Sequence, residues 1–435
     1  HLTNPIPLAY EPSTTLRRGL FGNLITLLAV IGVVCFTLYR LNAPAAVAAN
    51  APPAEFASGR AMKYVENIGQ RPHPIGSAEH AVVRDYIVKE LIELGVSPEV
   101  QNTTVVSDLS ETPVIAGSVQ NIIARLKGSN NTKAIMLTGH YDSVPTGPGA
   151  SDDGTAVAAM LETLRALKAG PSLKNDVIFL FSDGEEVGLL GAQAVVEDPQ
   201  TVQAVGLVFN FEARGSSGPS LMYETSEGNE QLIEEFAKAV PRPLTNSLLF
   251  EVYKSLPNDT DFSIYKRAGL AGLNFAYIDQ STHYHTQLDN PGTVSESSLQ
   301  HHGSYALALT RHFGNLDLQH TARGNAVYFD VLSAFIVRYS VSRVLGLTVL
   351  VVALFGTVVV LGYRRQLLTL RGMALGFAAL LLSMVGSGLA VYVVWRVTGL
   401  FQADYRAMTT TCLRRCCRSS GARSAPVAGN TTTRS

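Results

Sequence analysis

Cysteine is almost absent from the body of this chain. Of 435 residues only Cys35, Cys412, Cys416 and Cys417 carry a thiol, so the long region between them cannot rest on disulfides even in an oxidising compartment. Charge of one sign is lacking as well. Thirty-four Lys and Arg against 35 Asp and Glu leave a formal net charge of −1, which excludes a broad basic field and with it nucleic acid as an expected partner. No repeat at solenoid periods is present.

What the sequence does contain is three long uncharged runs. Leu20 to Tyr39 follows Arg17 and Arg18, Val344 to Tyr363 lies between Arg343 and Arg364, and Gly372 to Trp395 lies between Arg371 and Arg396. Each is long enough to cross a hydrocarbon core, where buried core helices of that length normally carry some charge. A cleaved signal peptide is the alternative for the first run, against which its length argues. The positive-inside rule puts residues 1–19 and the Arg364 to Arg371 loop in the cytosol. The same rule puts the region between the first two spans on the lumenal or periplasmic side. The expectation is therefore a multi-pass protein of a vacuolar or endoplasmic reticulum membrane in a eukaryote, or of the inner membrane in a bacterium.

Residues 40–55 are Ala- and Pro-rich and read as a linker to a soluble domain at 56–318. Glu79 to Leu94 reads as an amphipathic helix on Val82, Tyr86, Ile87, Leu91 and Leu94, closed by Gly95. Strand-like runs follow at Ile135 to Thr138, Val177 to Phe181, Val205 to Phe211 and Leu273 to Ile278. They alternate with helical patterns at Thr155 to Leu167, Gln231 to Ala239 and Ser297 to Arg311. This alternation predicts an α/β domain, a mostly parallel sheet sandwiched by helices and flanked by transmembrane helices. Residues 401–435 are rich in Thr, Ser and Arg without apolar periodicity and read as a disordered basic tail. Its cysteines could be acylated, but composition favours a terminus without a specific role. The chain begins with His1 and reads as a fragment or processed form. Asn102, Asn130 and Asn258 open N-x-Thr acceptors, which make it a glycoprotein if it enters a eukaryotic lumen.

Ligands of such open sheets sit beyond the carboxyl ends of the strands, and the polar clusters fall there. His140-Tyr141-Asp142 runs into Gly147-Pro148-Gly149-Ala150-Ser151-Asp152-Asp153-Gly154, an imidazole and carboxylates of the kind that suit zinc. Asp142 could take the second ring N–H of His140 or brace the loop. The alternative is a capped loop, with Asp153 at the start of the next helix. Glu185 and Glu186 follow the second strand and could serve as base and ligand, or merely complement a helix dipole. Glu212 ends a continuous apolar run and needs a partner to be worth burying. His285 lies four residues ahead of Asp289.

Taken together with Arg71-Pro72-His73-Pro74, Asn210-Phe211-Glu212-Ala213 and Tyr284-His285-Thr286, these segments resemble the M28 family of zinc exopeptidases, over the whole soluble region. The likeness is to the membrane-bound branch, with endoplasmic reticulum metallopeptidases and fungal vacuolar membrane proteases. It implies two zinc ions per chain on His140, Asp152, Glu186, Glu212 and His285, with Asp152 bridging. It also implies Glu185 as general base, Tyr284 as the residue polarising the scissile carbonyl or steadying its oxyanion, and peptide substrates, with aminopeptidase action favoured. His283 and His73 match no ligand position, and Arg214 and Asp261 could line a substrate pocket. Two alternatives remain: a receptor- or complex-subunit-like relative without catalysis, and a single-zinc acyltransferase of the glutaminyl cyclase type. Relatives of that branch continue with more spans and a further lumenal domain, so the C-terminus reads as truncated or divergent. Oligomeric state is not legible.

Overall fold

The computed structural model describes residues 14–107, 114–319 and 323–401. Its elements run α1 (Thr14–Leu41), α2 (Ser58–Ile68), α3 (Ala78–Glu93), β1 (Glu99–Val106), β2 (Ala116–Leu126), β3 (Ala134–His140), α4 (Gly154–Lys168), β4 (Val177–Ser182), α5 (Leu190–Val196), α6 (Pro199–Ala204) and β5 (Val205–Ala213). Then come β6 (Leu221–Thr225), α7 (Glu230–Ala239), α8 (Ser247–Tyr253), α9 (Asp261–Arg267), β7 (Gly272–Tyr277), α10 (Glu296–Phe313), β8 (Ala326–Val331), β9 (Phe335–Ser340), α11 (Val344–Arg364) and α12 (Leu370–Phe401).

Seven strands form one mixed sheet in the order β1-β2-β4-β3-β5-β7-β6. The four central strands, β4, β3, β5 and β7, are parallel, while β1, β2 and β6 add antiparallel edges. Every residue of β3, β4, β5 and β7 is buried, as expected for strands covered on both faces. One side carries α2, α3, α4, α7 and α10 over a core that includes Ile135, Leu137, Phe179, Phe209 and Phe275. The other carries α5 and α9 over Met136, Ile178, Leu180, Val208 and Phe262. Parallel order brings the carboxyl ends of all four central strands to one rim, and that is where the site lies.

Three details differ from the sequence-based expectation. On α3 the core takes Val83 with Ile87 and Leu91, whereas Val82 is 58% exposed; the buried stripe is rotated by one residue. The Ala/Pro-rich stretch is tied down rather than free, because Arg60 Nη1 donates to the carbonyls of Ala49 and Ala51 at 2.8 and 2.9 Å. Past residue 318, the β8–β9 hairpin packs Ala326, Tyr328 and Ile336 onto the same core.

The chain divides into two compact units, with α11 and α12 in the second. Among the described residues three helices are long and apolar enough to cross a membrane, over Gly22–Leu41, Val341–Arg364 and Leu370–Thr398, and the most apolar window of each is wholly unburied. The expected tail at 401–435 falls, after Phe401, outside the described residues.

Candidate metal centre

His140 is the last residue of β3 and turns its imidazole toward the rim. Its Nδ1 lies 2.9 Å from the backbone carbonyl of Asp142, which leaves Nε2 facing inward. Nε2 stands 3.2 Å from Asp152 Oδ1 and 3.9 Å from both Glu185 Oε2 and Glu212 Oε2. On the far side of Asp152, His285 Nε2 lies 3.1 Å from Oδ2 and 3.0 Å from Glu186 Oε2. The result is two triads, His140–Asp152–Glu212 and Asp152–Glu186–His285, each with its ligand atoms within 4.8 Å of one another. Asp152 belongs to both.

The donors fit a cation better than they fit each other. Asp152 Oδ2, Glu186 Oε1 and His285 Nε2 are buried and make no hydrogen bond, although approaches of about 3 Å exist. Buried polar atoms are ordinarily paired, so lone pairs that approach without hydrogen-bond geometry are aimed at a common point between them. His285 also holds a left-handed backbone, φ 58°, a conformation costing a non-glycine residue about 1–2 kcal/mol. Thr146 Oγ1 donates to its carbonyl at 2.9 Å and holds it there.

Electrostatics points the same way. Burial, then neighbouring carboxylates, push Glu185 well above the usual range, Glu186 to about 7 and Glu212 to about 8. Burial would also raise Asp152, but the His140 and His285 imidazoles beside it outweigh that and bring the group to about 2. Burial lowers both histidines, and the same carboxylates more than reverse that, taking His285 to about 9. Four carboxylates against two imidazoles leave a negative excess, the condition that a dication relieves.

With this geometry established, the relatives become informative. Residues 121–310 match the model for "Peptidase family M28", and every residue of both triads lies inside that range. The chain carries a peptidase family M28 domain. It is 30% identical over 330 residues to endoplasmic reticulum metallopeptidase 1 of Homo sapiens, covering 71% of this chain and 36% of that protein. It is likewise 30% identical over 330 residues to the vacuolar membrane protease of Eremothecium gossypii, covering 70% of this chain and 32% of that one. The chain thus spans about a third of the length of these relatives. Among solved structures it resembles an aminopeptidase from Aneurinibacillus sp. strain AM-1, with TM-score 0.50, 14% identity, and coverage of 64% of this chain and 97% of that one. That likeness is one of fold.

Several residues of the M28 domain hold the triads without joining them. Asp142 faces both ways: its Oδ1 lies 3.5 Å from His140 Nδ1, and the carboxylate accepts the Glu185 and Glu186 N–H groups of the next loop at 3.1 and 3.3 Å. The Glu pair therefore lies in a loop braced from β3, ahead of α5, and does not cap a helix. Asp153 stands at the start of α4 without a side-chain cap bond, and its Oδ2 accepts the His140 N–H at 3.2 Å. The partner that Glu212 required is Asn210, whose Nδ2 donates to Oε1 at 2.9 Å. Tyr284 stacks on His285 with ring centroids 3.7 Å apart, and Arg214 Cζ lies 5.2 Å from the Tyr284 centroid. Asp261 is buried at the same rim, accepts a hydrogen bond from Ser182 Oγ, and is raised to about 6 mainly by burial. His283 bonds Ser216 Oγ at 2.7 Å and His73 Nδ1 lies 2.8 Å from the Arg71 carbonyl, and neither belongs to a triad.

Asp289 has a role that spacing alone did not reveal. Its two oxygens accept the N–H groups of Ser151 and Asp152 at 2.7 and 3.1 Å, fixing the backbone of the residue common to both triads. Asp289→Ala is expected to weaken metal affinity about 10- to 100-fold, as loss of a ligand-orienting partner does. Competition for zinc against a chromophoric chelator measures it, and unchanged affinity would remove Asp289 from this role.

Proposed function

We propose that the protein is a membrane-anchored di-zinc metallopeptidase acting as an aminopeptidase. The carrying observation is the pair of triads sharing Asp152, with Glu185 beside them and in neither. His140, Asp152 and Glu212 would hold one zinc, and Asp152, Glu186 and His285 the other. Zinc bound there supplies Lewis acidity toward a water and toward the scissile carbonyl. Glu185, 12% exposed at its side chain, is placed to take a proton from that water and return it to the departing amine. Burial and the surrounding carboxylates raise the Tyr284 hydroxyl far above its ordinary range, which keeps it a hydrogen-bond donor for a developing oxyanion.

Placement in the membrane completes the reading. Arg17 and Arg18 precede the first apolar helix, and Arg364, Arg365 and Arg371 lie between the second and third. The positive-inside rule then puts the M28 domain on the lumenal or periplasmic face, where its lack of cysteine is harmless.

The test is hydrolysis of peptides with free or acetylated amino termini by the detergent-solubilised chain, with bound zinc counted. Cleavage that requires a free amino terminus and about two zinc ions supports the proposal. A folded, zinc-free and inactive protein would favour the receptor-like alternative, and cyclisation of N-terminal glutamine the acyltransferase.

A further inference from the structure

The β8–β9 hairpin carries its side chains in two sets. In the antiparallel register Val327, Phe329 and Val331 face Tyr339, Val337 and Phe335, so these six share one face. The opposite face supplies the buried Ala326 and Tyr328, packs Ile336 on the core and pairs Arg338 with Glu234 on α7 at 3.3 Å. That face belongs to the domain. A strand pair with one face on a core and the other in water normally turns polar residues outward. Here the outward set has no charged or amide side chain, and Phe329 and Phe335 are 41% and 57% exposed. An apolar face of this kind marks an interaction surface.

The tip of the hairpin is fixed to the end of an apolar helix. At the tip three residues join the strands: Leu332 and Ser333 take positive φ, 51° and 53°, and the Ala334 N–H donates to the Val331 carbonyl at 2.9 Å. Arg40, near the end of the first candidate span, donates Nε to the Leu332 carbonyl at 3.0 Å and Nη2 to that of Ser333. Arg242 in turn donates to the carbonyls of Arg40 and Asn42 at 3.0 and 2.8 Å. At the other end only Val341, Ser342 and Arg343 separate β9 from α11, a reach of about 10 Å at most. Six residues of strand span roughly 20 Å. If α1 crosses a bilayer, the hairpin tip that Arg40 holds lies where that helix leaves it. With its inner face on the domain, the hairpin's outer face meets the lipid.

We infer that the outward face of the β8–β9 hairpin is a lipid-facing foot, seated at the headgroup–acyl boundary of the membrane that α1 and α11 cross, and that it holds the M28 domain against that membrane. This rests on the transmembrane reading above. Aromatic and aliphatic side chains on one face, with Arg40 at the tip, are the composition such interfacial surfaces use.

The test uses the full chain with Cys35, Cys412, Cys416 and Cys417 changed to Ala, reconstituted in phosphatidylcholine–phosphatidylglycerol vesicles. A polarity-sensitive fluorophore is attached at Phe335→Cys or, independently, Phe329→Cys, with Val352→Cys in α11 and Asn102→Cys in β1 as references. Lipids bearing shallow or deep nitroxides and aqueous iodide are the quenchers. The expected result is a blue-shifted label at 335 and 329, quenched most by the shallow nitroxide, with 352 quenched by the deep one and 102 by iodide. If 352 escapes lipid quenching, the transmembrane reading itself fails. Should 352 report lipid while both hairpin labels behave like 102, the foot is overturned alone. Labels at 335 and 329 shielded from lipid and iodide alike would mean that protein covers the face, which also overturns it.

Discussion

Glu185→Gln is expected to lower kcat by about 10²- to 10⁴-fold, the range that removal of a positioned general base produces. Zinc content and KM should stay near those of the parent. The substitution is nearly isosteric and leaves the backbone N–H that Asp142 accepts, so the loop keeps its brace. What changes is one oxygen 3.9 Å from His140 Nε2, in a carboxylate that belongs to neither triad. Burial and the charges of Glu212, Glu186 and Asp261 hold this carboxyl well above its ordinary value. Cations held in the two triads would cancel that repulsion and so favour the ionised form of Glu185. Glu186→Gln provides the contrast: it removes a member of the second triad and should cost zinc as well as rate. A Glu185→Gln protein with parental kcat would refute the assignment of the base.

The parts of this fold legible in the sequence are those buried on both faces. β3, β4, β5 and β7 are continuous apolar runs because helices cover each side, and no other element gives such runs at that length. The edges were not legible. β1 reads Glu-Val-Gln-Asn-Thr-Thr-Val-Val, and its largely exposed pattern lacks a clean alternation. The β8–β9 hairpin escaped notice for another reason: its outward face is apolar while the face on the domain mixes Ala326, Tyr328 and Ile336 with Asp330, Arg338 and Ser340, the reverse of the usual polar-out alternation. At the site, residue type at successive strand ends was enough to nominate His140, Asp152, Glu185, Glu186, Glu212 and His285, because parallel order forces strand ends to one rim. The supports were not deducible. Asp289 reaches Ser151 and Asp152 across 138 and 137 positions of chain, and Asp142 reaches the Glu185 loop across 43 while its Oδ1 also faces His140.

Chelation should make the stability of the M28 domain fall as pH rises from about 5 to 9, while the zinc-loaded protein changes little over that interval. In the folded, metal-free cluster, burial raises Glu186 to about 7, Glu212 to about 8 and Asp289 to about 7. Their unfolded counterparts release protons near 4, so the folded state binds more protons in this window and stability declines with pH. That stabilisation is complete below the unfolded values and gone above the folded ones. His285, raised to about 9, has the same sign between 6.5 and 9. Asp152, lowered to about 2, acts oppositely, but only below its unfolded value of 3.8. A tenfold change in proton affinity between the folded and unfolded states is worth about 1.4 kcal/mol, and protons are shared within the cluster, so the summed loss is on the order of several kcal/mol. Zinc replaces those protons, and at 1,000 times its dissociation constant adds about 4 kcal/mol. Thermal melts with and without chelator at pH 6 and 8.5 therefore show a gap that widens with pH. A chelated protein whose melting temperature rises with pH would mean that these carboxylates are not the proton reservoir described, and that the triads are not what the metal stabilises.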